Sequence, residues 1–183
     1  PHGWSPDGRT LLFTEFRTYT EQSLAAVDES GAVRRLLPAG RFAQLRPQVS
    51  PDGRWLAYQS DESGRFETYV RPYPAIDAGV WKVSAGGGTS PRWTRDGHKL
   101  VYYDGRGFIA VRVGPGDEFR AGRPQRLFDA SPYQGRLGPD YDVMPDGGRF
   151  LMIRSAAETP ASRVQLVLVQ HWIDELRARL RGD

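Results

Sequence analysis

The stretch Ser50-Pro51-Asp52-Gly53, followed at once by Arg54-Trp55-Leu56-Ala57-Tyr58, decides the fold. Proline presets the backbone dihedral φ to about −65° at the second position of a turn. An aspartate that follows it can form hydrogen bonds with its own backbone. Glycine accepts a positive φ without steric cost. The run that follows is bulky and apolar without helical spacing, which is typical of a buried strand. The stretch therefore predicts a tight turn that leads directly into a strand.

The same unit recurs along the chain. Asp-Gly pairs stand at positions 7–8, 52–53, 96–97 and 146–147, at spacings of 45, 44 and 50 residues. A period of about 40–50 residues is that of a four-stranded propeller blade, so the chain is predicted to be an all-β propeller with four blade-like repeats. We interpret the turn residues as structural: Pro6, Asp7, Gly8, Pro51, Asp52, Gly53, Asp96, Gly97, Pro145, Asp146 and Gly147.

The strand after each turn is apolar on both of its faces. Bulky residues stand four and six positions after each aspartate, as Leu56 and Tyr58 do after Asp52. The residue between them is apolar in every copy: Leu12, Ala57, Val101 and Leu151. Because successive side chains of a strand point to opposite faces, such a strand must be covered on both sides. This pattern predicts blades that are packed between neighbouring blades.

The repeats divide the chain into four blades and a tail. The predicted blades are residues 1–45, 46–89, 90–138 and 139–170, and a short amphipathic α-helix with a charged tail follows at 171–183. Blade four is one strand short. Either its missing strand comes from residues upstream of Pro1, or its outer edge is short and the helix covers it. We expect a longer parent protein with six to eight blades, and edge-to-edge association of this chain when it is expressed alone.

Composition excludes several classes of protein. The net charge is +3, the mean hydropathy is −0.55, and the chain has no cysteine, so disulfides and thiolate metal sites are excluded. Arginines are spread over every segment with acids between them, so no nucleic-acid interface is expected. No stretch reaches the roughly 20 apolar residues of a membrane span. A membrane connection is therefore expected only through parts of the parent outside this chain.

The sequence contains no motif that pairs a nucleophile with a base. No Gly-x-Ser-x-Gly motif occurs, and the histidines His2, His98 and His171 stand far apart in sequence. The repeated aspartates are expected to use their carboxylates within their own turns instead of binding calcium. The run Gly86-Gly87-Gly88 lacks the residues of a phosphate loop and is predicted to be a flexible crossover between blades. We therefore expect no enzymatic activity, no cofactor and no metal.

Recognition is expected where the copies differ. Four positions before the turn aspartates stand Gln48, Arg92 and Asp142, which vary while their neighbours keep the repeat pattern. In a propeller these positions fall on the innermost strands and line the central channel. The alternative is that these three side chains contact only ordered water, or that Arg92 and Asp142 pair with each other.

The turn repeats resemble the WD40-like propeller repeats of the TolB family. The likeness extends to about residue 170 and departs from the motif at Thr94-Arg95 and Met144-Pro145. Three further features together resemble the propeller at the C-terminus of many bacterial membrane-anchored serine/threonine kinases: Tyr69-Val70-Arg71-Pro72-Tyr73-Pro74, the Gly86-Gly87-Gly88-Thr89-Ser90-Pro91-Arg92-Trp93 crossover and the closing Trp172-Ile173-Asp174-Glu175-Leu176.

The resemblance implies a non-catalytic propeller outside the cytoplasm that senses a ligand or docks a protein. In the kinase context it would be the sensor of a receptor kinase, although this chain contains no Gly-rich loop, His-Arg-Asp or Asp-Phe-Gly motif. One alternative is the gating propeller of a prolyl oligopeptidase-like hydrolase. The other is a TolB-like periplasmic scaffold that binds a lipoprotein.

Overall fold

The computed structural model describes residues 2–17, 21–38, 40–130, 141–144 and 148–152. In these residues the backbone forms fourteen strands in four antiparallel sheets, one for each predicted blade. Blade one has β1 (Gly3–Trp4), β2 (Thr10–Phe16), β3 (Gln22–Asp28) and β4 (Val33–Arg35). Blade two has β5 (Gln44–Val49), β6 (Trp55–Ser60), β7 (Glu67–Pro72) and β8 (Trp81–Lys82), with a 3-10 helix at Ile76–Ala78. Blade three has β9 (Thr89–Trp93), β10 (Lys99–Tyr103), β11 (Gly107–Arg112) and β12 (Gln125–Asp129), and blade four has β13 (Tyr141–Val143) and β14 (Phe150–Met152).

The strands of each blade pair in chain order, so the first strand of every blade lies at one edge of its sheet. β5 begins at Gln44 and β9 at Thr89, slightly before the blade boundaries that the sequence predicts. The third strand predicted for blade four and the helix predicted at 171–183 lie outside the described residues. Within the residues that the structure describes, no helix is long and apolar enough to cross a membrane.

The Ser-Pro-Asp-Gly turn connects the first two strands of a blade. In blade two the Gly53 amide donates to the Ser50 carbonyl at 2.8 Å, and Gly53 takes a φ of 75°. The Asp52 carboxylate accepts from the Ser50 hydroxyl at 2.5 Å and from the Arg54 amide at 3.1 Å. The Ser50 hydroxyl itself accepts from the Trp55 amide at 2.9 Å. The aspartate is therefore committed to hydrogen bonds inside its own turn.

Blades one and three repeat this geometry. In blade one the Asp7 carboxylate accepts from the Ser5 hydroxyl at 2.5 Å. In blade three Thr94 stands at the serine position, and its hydroxyl donates to Asp96 at 2.6 Å. This bond is the main reason that the pKa of Asp96 lies below its ordinary value. The threonine thus keeps the hydrogen bonds of the turn where the motif departs from serine. The blade-four turn residues Pro145, Asp146 and Gly147 lie outside the described residues.

Three apolar clusters fill the spaces between successive blades. Between blades one and two the cluster contains Leu12, Leu24, Ala26, Leu36, Leu37, Val49, Leu56, Tyr58 and Tyr69. Trp55 and Ala57 belong instead to the cluster between blades two and three. Leu56 and Tyr58 therefore face blade one, while their neighbours on the same strand face blade three. The prediction that this strand is covered on both faces is confirmed.

Blades one and four each have a face that no other described residue covers. Leu151 of blade four is 69% exposed, whereas Val101, its counterpart in blade three, is 2% exposed. Trp4 of blade one is 61% exposed, and its counterpart Trp93 is 7% exposed. The neighbouring blade, and not the sheet that carries the residue, therefore buries these positions.

A buried carboxylate holds the crossover between blades two and three. Glu67 is 2% exposed, and its carboxylate accepts from the Ser84 hydroxyl at 2.5 Å. It also accepts from the amides of Gly86 at 3.0 Å and Gly87 at 3.1 Å. Hydrogen bonds to a charged acceptor are stronger than those between neutral groups. The glycine run, which the sequence predicts to be flexible, is therefore held by this carboxylate at two of its amides.

Candidate binding site on the inner strands

The first strand of each blade, which we call the inner strand, carries the three candidate binding residues. Gln48 lies on β5, Arg92 on β9 and Asp142 on β13. Each inner strand contacts the inner strand of the next blade. Gln48 and Arg92 are half-buried, whereas Asp142 is exposed. The structure thus places the three residues at the same position of successive, adjacent strands.

Gln48 joins blade two to blade three. Its side-chain oxygen, Oε1, accepts from the Trp93 backbone amide at 2.7 Å. Its backbone carbonyl accepts from the Trp93 indole Nε1 at 3.1 Å. The residue forms a two-point clamp across the blade interface, so its side-chain oxygen is already occupied.

The clamp predicts a loss of stability when the Gln48 side chain is truncated. In Gln48→Ala the largely buried Trp93 amide loses its acceptor, which costs about 1–3 kcal/mol. Gln44→Ala is the matched control on the same strand, because the buried Gln44 Oε1 has no hydrogen-bond partner. Urea unfolding of both variants measures the difference. Equal losses for the two variants would show that the clamp contributes nothing.

Arg92 lies against an aromatic residue of blade four. Its guanidinium carbon is 5.9 Å from the centroid of the Tyr141 ring, within the range of a cation–π contact. The Tyr141 hydroxyl donates to the Ser90 carbonyl at 2.7 Å and is 3.2 Å from the Val101 carbonyl. Burial of this hydroxyl raises the Tyr141 pKa far above its ordinary value. Arg92 therefore rests on a fixed ring and makes no ion pair with the exposed Asp142.

His2 and Arg46 lie close to Arg92. His2, which precedes β1, bonds the Thr14 hydroxyl through Nε2 at 2.9 Å. Burial first, and then nearby positive charges that include Arg46 and Arg92, lower the His2 pKa to about 4. The imidazole is therefore neutral at pH 7, and the positive charge of this region comes from the two arginines.

The inner strands contain unusual backbone at one repeated position. Arg46 on β5 has a φ of 54° and Ser90 on β9 has a φ of 53°, and both stand six residues before their turn aspartates. The register of each strand with its neighbour shifts at this position, as in a β-bulge. A left-handed conformation costs a residue other than glycine about 1–3 kcal/mol, and such strain gathers at functional sites. When the repeats are aligned on their turn aspartates, Arg46 and Ser90 stand at the same position. Their side chains give no indication of the left-handed conformation.

The structure reveals no arrangement for metal binding among the residues it describes. There, no group of three or more His, Asp or Glu side chains is placed to hold an ion. The His98 backbone amide donates to the Asp96 carboxylate at 3.0 Å, as Arg54 does in blade two. His98 thus takes part in a turn.

An open apolar groove of about 590 Å³ lies where blade two meets the β11–β12 loop of blade three. Its lining residues are Arg54, Trp55, Pro72, Ala78, Trp81, Asp117 and Glu118. Trp55 meets Trp81 and Phe119 edge to face at centroid distances of 5.7 and 5.2 Å. Sequence reasoning missed this groove because one wall comes from a loop more than 60 residues after Trp55.

Comparison with solved structures identifies the architecture. A TolB-like protein from Agrobacterium tumefaciens superposes with a TM-score of 0.55 and 27% identity, over 70% of this chain and 48% of that one. TolB from Acinetobacter baumannii has a TM-score of 0.51 and 18% identity, over 83% of this chain and 42% of that one. The fold is a β-propeller. The periplasmic gluconolactonase PpgL of Pseudomonas aeruginosa shares this fold, with a TM-score of 0.50 and 19% identity over 79% of this chain and 46% of that one.

Sequence comparison finds a relative of unassigned function. No family model matches the chain. An uncharacterized protein of Agrobacterium fabrum strain C58 is 29% identical over 161 residues, which cover 84% of this chain and 54% of the relative. The chain therefore spans about half the length of the relatives it matches. The TolB-like resemblance of the fold is confirmed, and the finer resemblance to kinase-linked propellers stays a prediction.

Proposed function

We propose that this chain is a non-catalytic binding module that recognises a protein or small-molecule partner at the inner strands. The observation that carries the proposal is the group formed by Arg46, Arg92 and Asp142. These charged residues occupy inner-strand positions at which the blades differ. Gln48 is left out of the contact surface, because its side-chain oxygen is used by Trp93.

The chemistry of the group favours a partner with a negatively charged face. A guanidinium offers a rigid fork of donors that matches carboxylate or phosphate oxygens. Arg92 rests on the Tyr141 ring, which limits its conformations before the partner arrives. The strained backbone at Arg46 and the bulge beside it also support a binding role for the inner strands.

The parent protein is part of the same proposal. A TolB-like scaffold outside the cytoplasm fits the structural neighbours, and a receptor-kinase sensor is the second candidate, which rests on the resemblance of the glycine crossover and the closing segment. The parent reading frame distinguishes them. A kinase domain followed by a membrane helix upstream of Pro1 supports the sensor, and a Gly-x-Ser-x-Gly hydrolase domain would overturn both.

The binding role is tested with the full chain as bait in envelope extracts of the organism that encodes it. We expect the wild type to retain one protein or ligand that Arg92→Ala and Arg46→Ala each lose by tenfold or more. Arg120→Ala is the control, because Arg120 is an exposed residue paired with Glu118 in a loop of blade three. Retention of the same partner by all four proteins, or of none by the wild type, would contradict the proposal.

A further inference from the structure

Three cations surround a small pocket on blade three. Lys99 lies on β10, Arg112 on β11 and Arg123 in the loop before β12. Together with Ala110, Gly122, Gln125 and Leu127 they line a volume of about 110 Å³, which we call the basic pocket. None of its lining residues lies on β9, the inner strand of blade three, so the basic pocket is separate from the site proposed above.

Lys99 and Arg112 are directly opposite each other in the β10–β11 pair. Like charges at directly opposite positions of an antiparallel pair are destabilising. Blades one and two avoid this arrangement at the same repeat position. Blade one has Thr10 opposite Asp28, and blade two has Trp55 opposite Pro72. Among the three blades whose second and third strands are both described, the like-charge pair occurs in blade three.

The backbone holds the third cation beside this pair. The Gly122 amide donates to the Arg112 carbonyl at 2.8 Å, which fixes Arg123 next to the strand. A Cβ at Gly122 would lie 3.4 Å from that carbonyl oxygen, so the loop approaches the strand closely. The three positive charges are thus brought together by the strand register and by a loop contact.

No acid neutralises the basic pocket in the part of the chain that the structure describes. There, Lys99, Arg112 and Arg123 form no ion pair, whereas seven other arginines do: Arg9, Arg17, Arg35, Arg54, Arg65, Arg120 and Arg126. Asp96 is the acid on which Lys99 acts, but its carboxylate is committed to the Thr94 hydroxyl and the His98 amide. Three cations are left to share a small concavity.

We propose that the basic pocket binds a phosphate group, either as free phosphate or as a phosphomonoester. Two guanidinium forks and one ammonium offer enough donors for a tetrahedral oxyanion, and a bound anion would remove the repulsion between Lys99 and Arg112. The concavity is too small for a large ligand, so recognition is limited to the charged group. The competing explanation is that the cations only protect the outer edge of blade three from pairing with another chain.

The test is a thermal-shift titration of the full chain with inorganic phosphate, at constant ionic strength maintained with sodium chloride. We expect a saturable rise in melting temperature for the wild type and none for Arg112→Gln. Arg120→Gln keeps the rise, because Arg120 lies in the same loop but pairs with Glu118. Without phosphate and at low salt, Lys99→Gln is expected to melt above the wild type, because it removes one of the opposed charges.

The outcomes distinguish a phosphomonoester from free phosphate, and both from protection of the blade edge. A matching response to glycerol 3-phosphate identifies a phosphomonoester site, and a response to inorganic phosphate alone identifies a site for the free anion. No saturable response, or an equal response of Arg112→Gln, would overturn the proposal. Protection of the outer edge of blade three would then be the explanation of the three cations. If Arg112→Gln does not fold, as judged by circular dichroism, Arg123→Gln replaces it, since Arg123 is an exposed loop residue.

Discussion

Replacing Gly88 by alanine is expected to destabilise the chain by about 3 kcal/mol. A Cβ at this position would lie 2.2 Å from the Ser84 hydroxyl oxygen and 2.9 Å from the Thr68 amide nitrogen. Ser84 cannot turn aside freely, because its hydroxyl donates to the buried Glu67 and accepts from the Thr68 amide at 2.8 Å. For a chain of this length the loss corresponds to a fall in melting temperature of about 6–12 °C.

Gly3→Ala is the control for the Gly88 prediction. A Cβ at Gly3 meets no atom within 4 Å, so its melting temperature is expected to stay close to that of the wild type. The double variant Gly88→Ala with Ser84→Gly removes the closest clash. We expect it to be far less destabilised than the sum of the two single variants, since residues in contact are not additive. Additive losses would show that the cost of a Cβ at position 88 does not come from contact with Ser84.

Much of the fold was predictable because the repeat is encoded locally. The turn at Ser50–Gly53 uses hydrogen bonds among residues at most five apart, so each copy can be read without knowledge of the rest of the chain. The alternation of Leu56 and Ala57 indicates two covered faces. Thr94 shows that matching the exact residues of the motif is not enough, because its hydroxyl makes the turn hydrogen bond that serine makes in blades one and two.

The candidate site was less predictable, because a residue that varies between blades can be used either by a neighbouring blade or by a ligand. Gln48 and Arg92 differ at the same repeat position, but Gln48 bonds Trp93, which lies 45 residues later. That contact depends on how one blade packs on the next and leaves no local trace. The conformation of Arg46 and the opposition of Lys99 to Arg112 likewise depend on strand register. Aligning repeats can locate positions that differ, but only packing shows whether a neighbouring blade or a ligand uses them.

Phe108→Ala is expected to give the largest loss of stability, about 3–5 kcal/mol. Phe108 is fully buried, and its ring lies 4.4 Å from that of Tyr141 and 5.4 Å from that of Phe150, by centroid distances. It also meets Phe128 at 5.3 Å within its own blade. Truncation leaves a cavity among aromatic rings, and these rings are the main contact of blade four with blade three. Urea unfolding measures the loss, provided that the slope with denaturant is unchanged.

The strands that Phe108→Ala destabilises are a sharper test of the blade-by-blade architecture than the total loss of stability. Because Phe108 belongs to the cluster between blades three and four, Phe108→Ala should speed amide hydrogen exchange in β13 and leave β2 and β3 of blade one nearly unchanged. Phe16→Ala is the matched control, because Phe16 is 67% exposed, and its loss is expected to stay within about 0.5 kcal/mol. Equal acceleration in blades one and four would mean that the sheets open as one cooperative unit. In that case the three apolar clusters would act as a single core, and blade interfaces could not be altered one at a time.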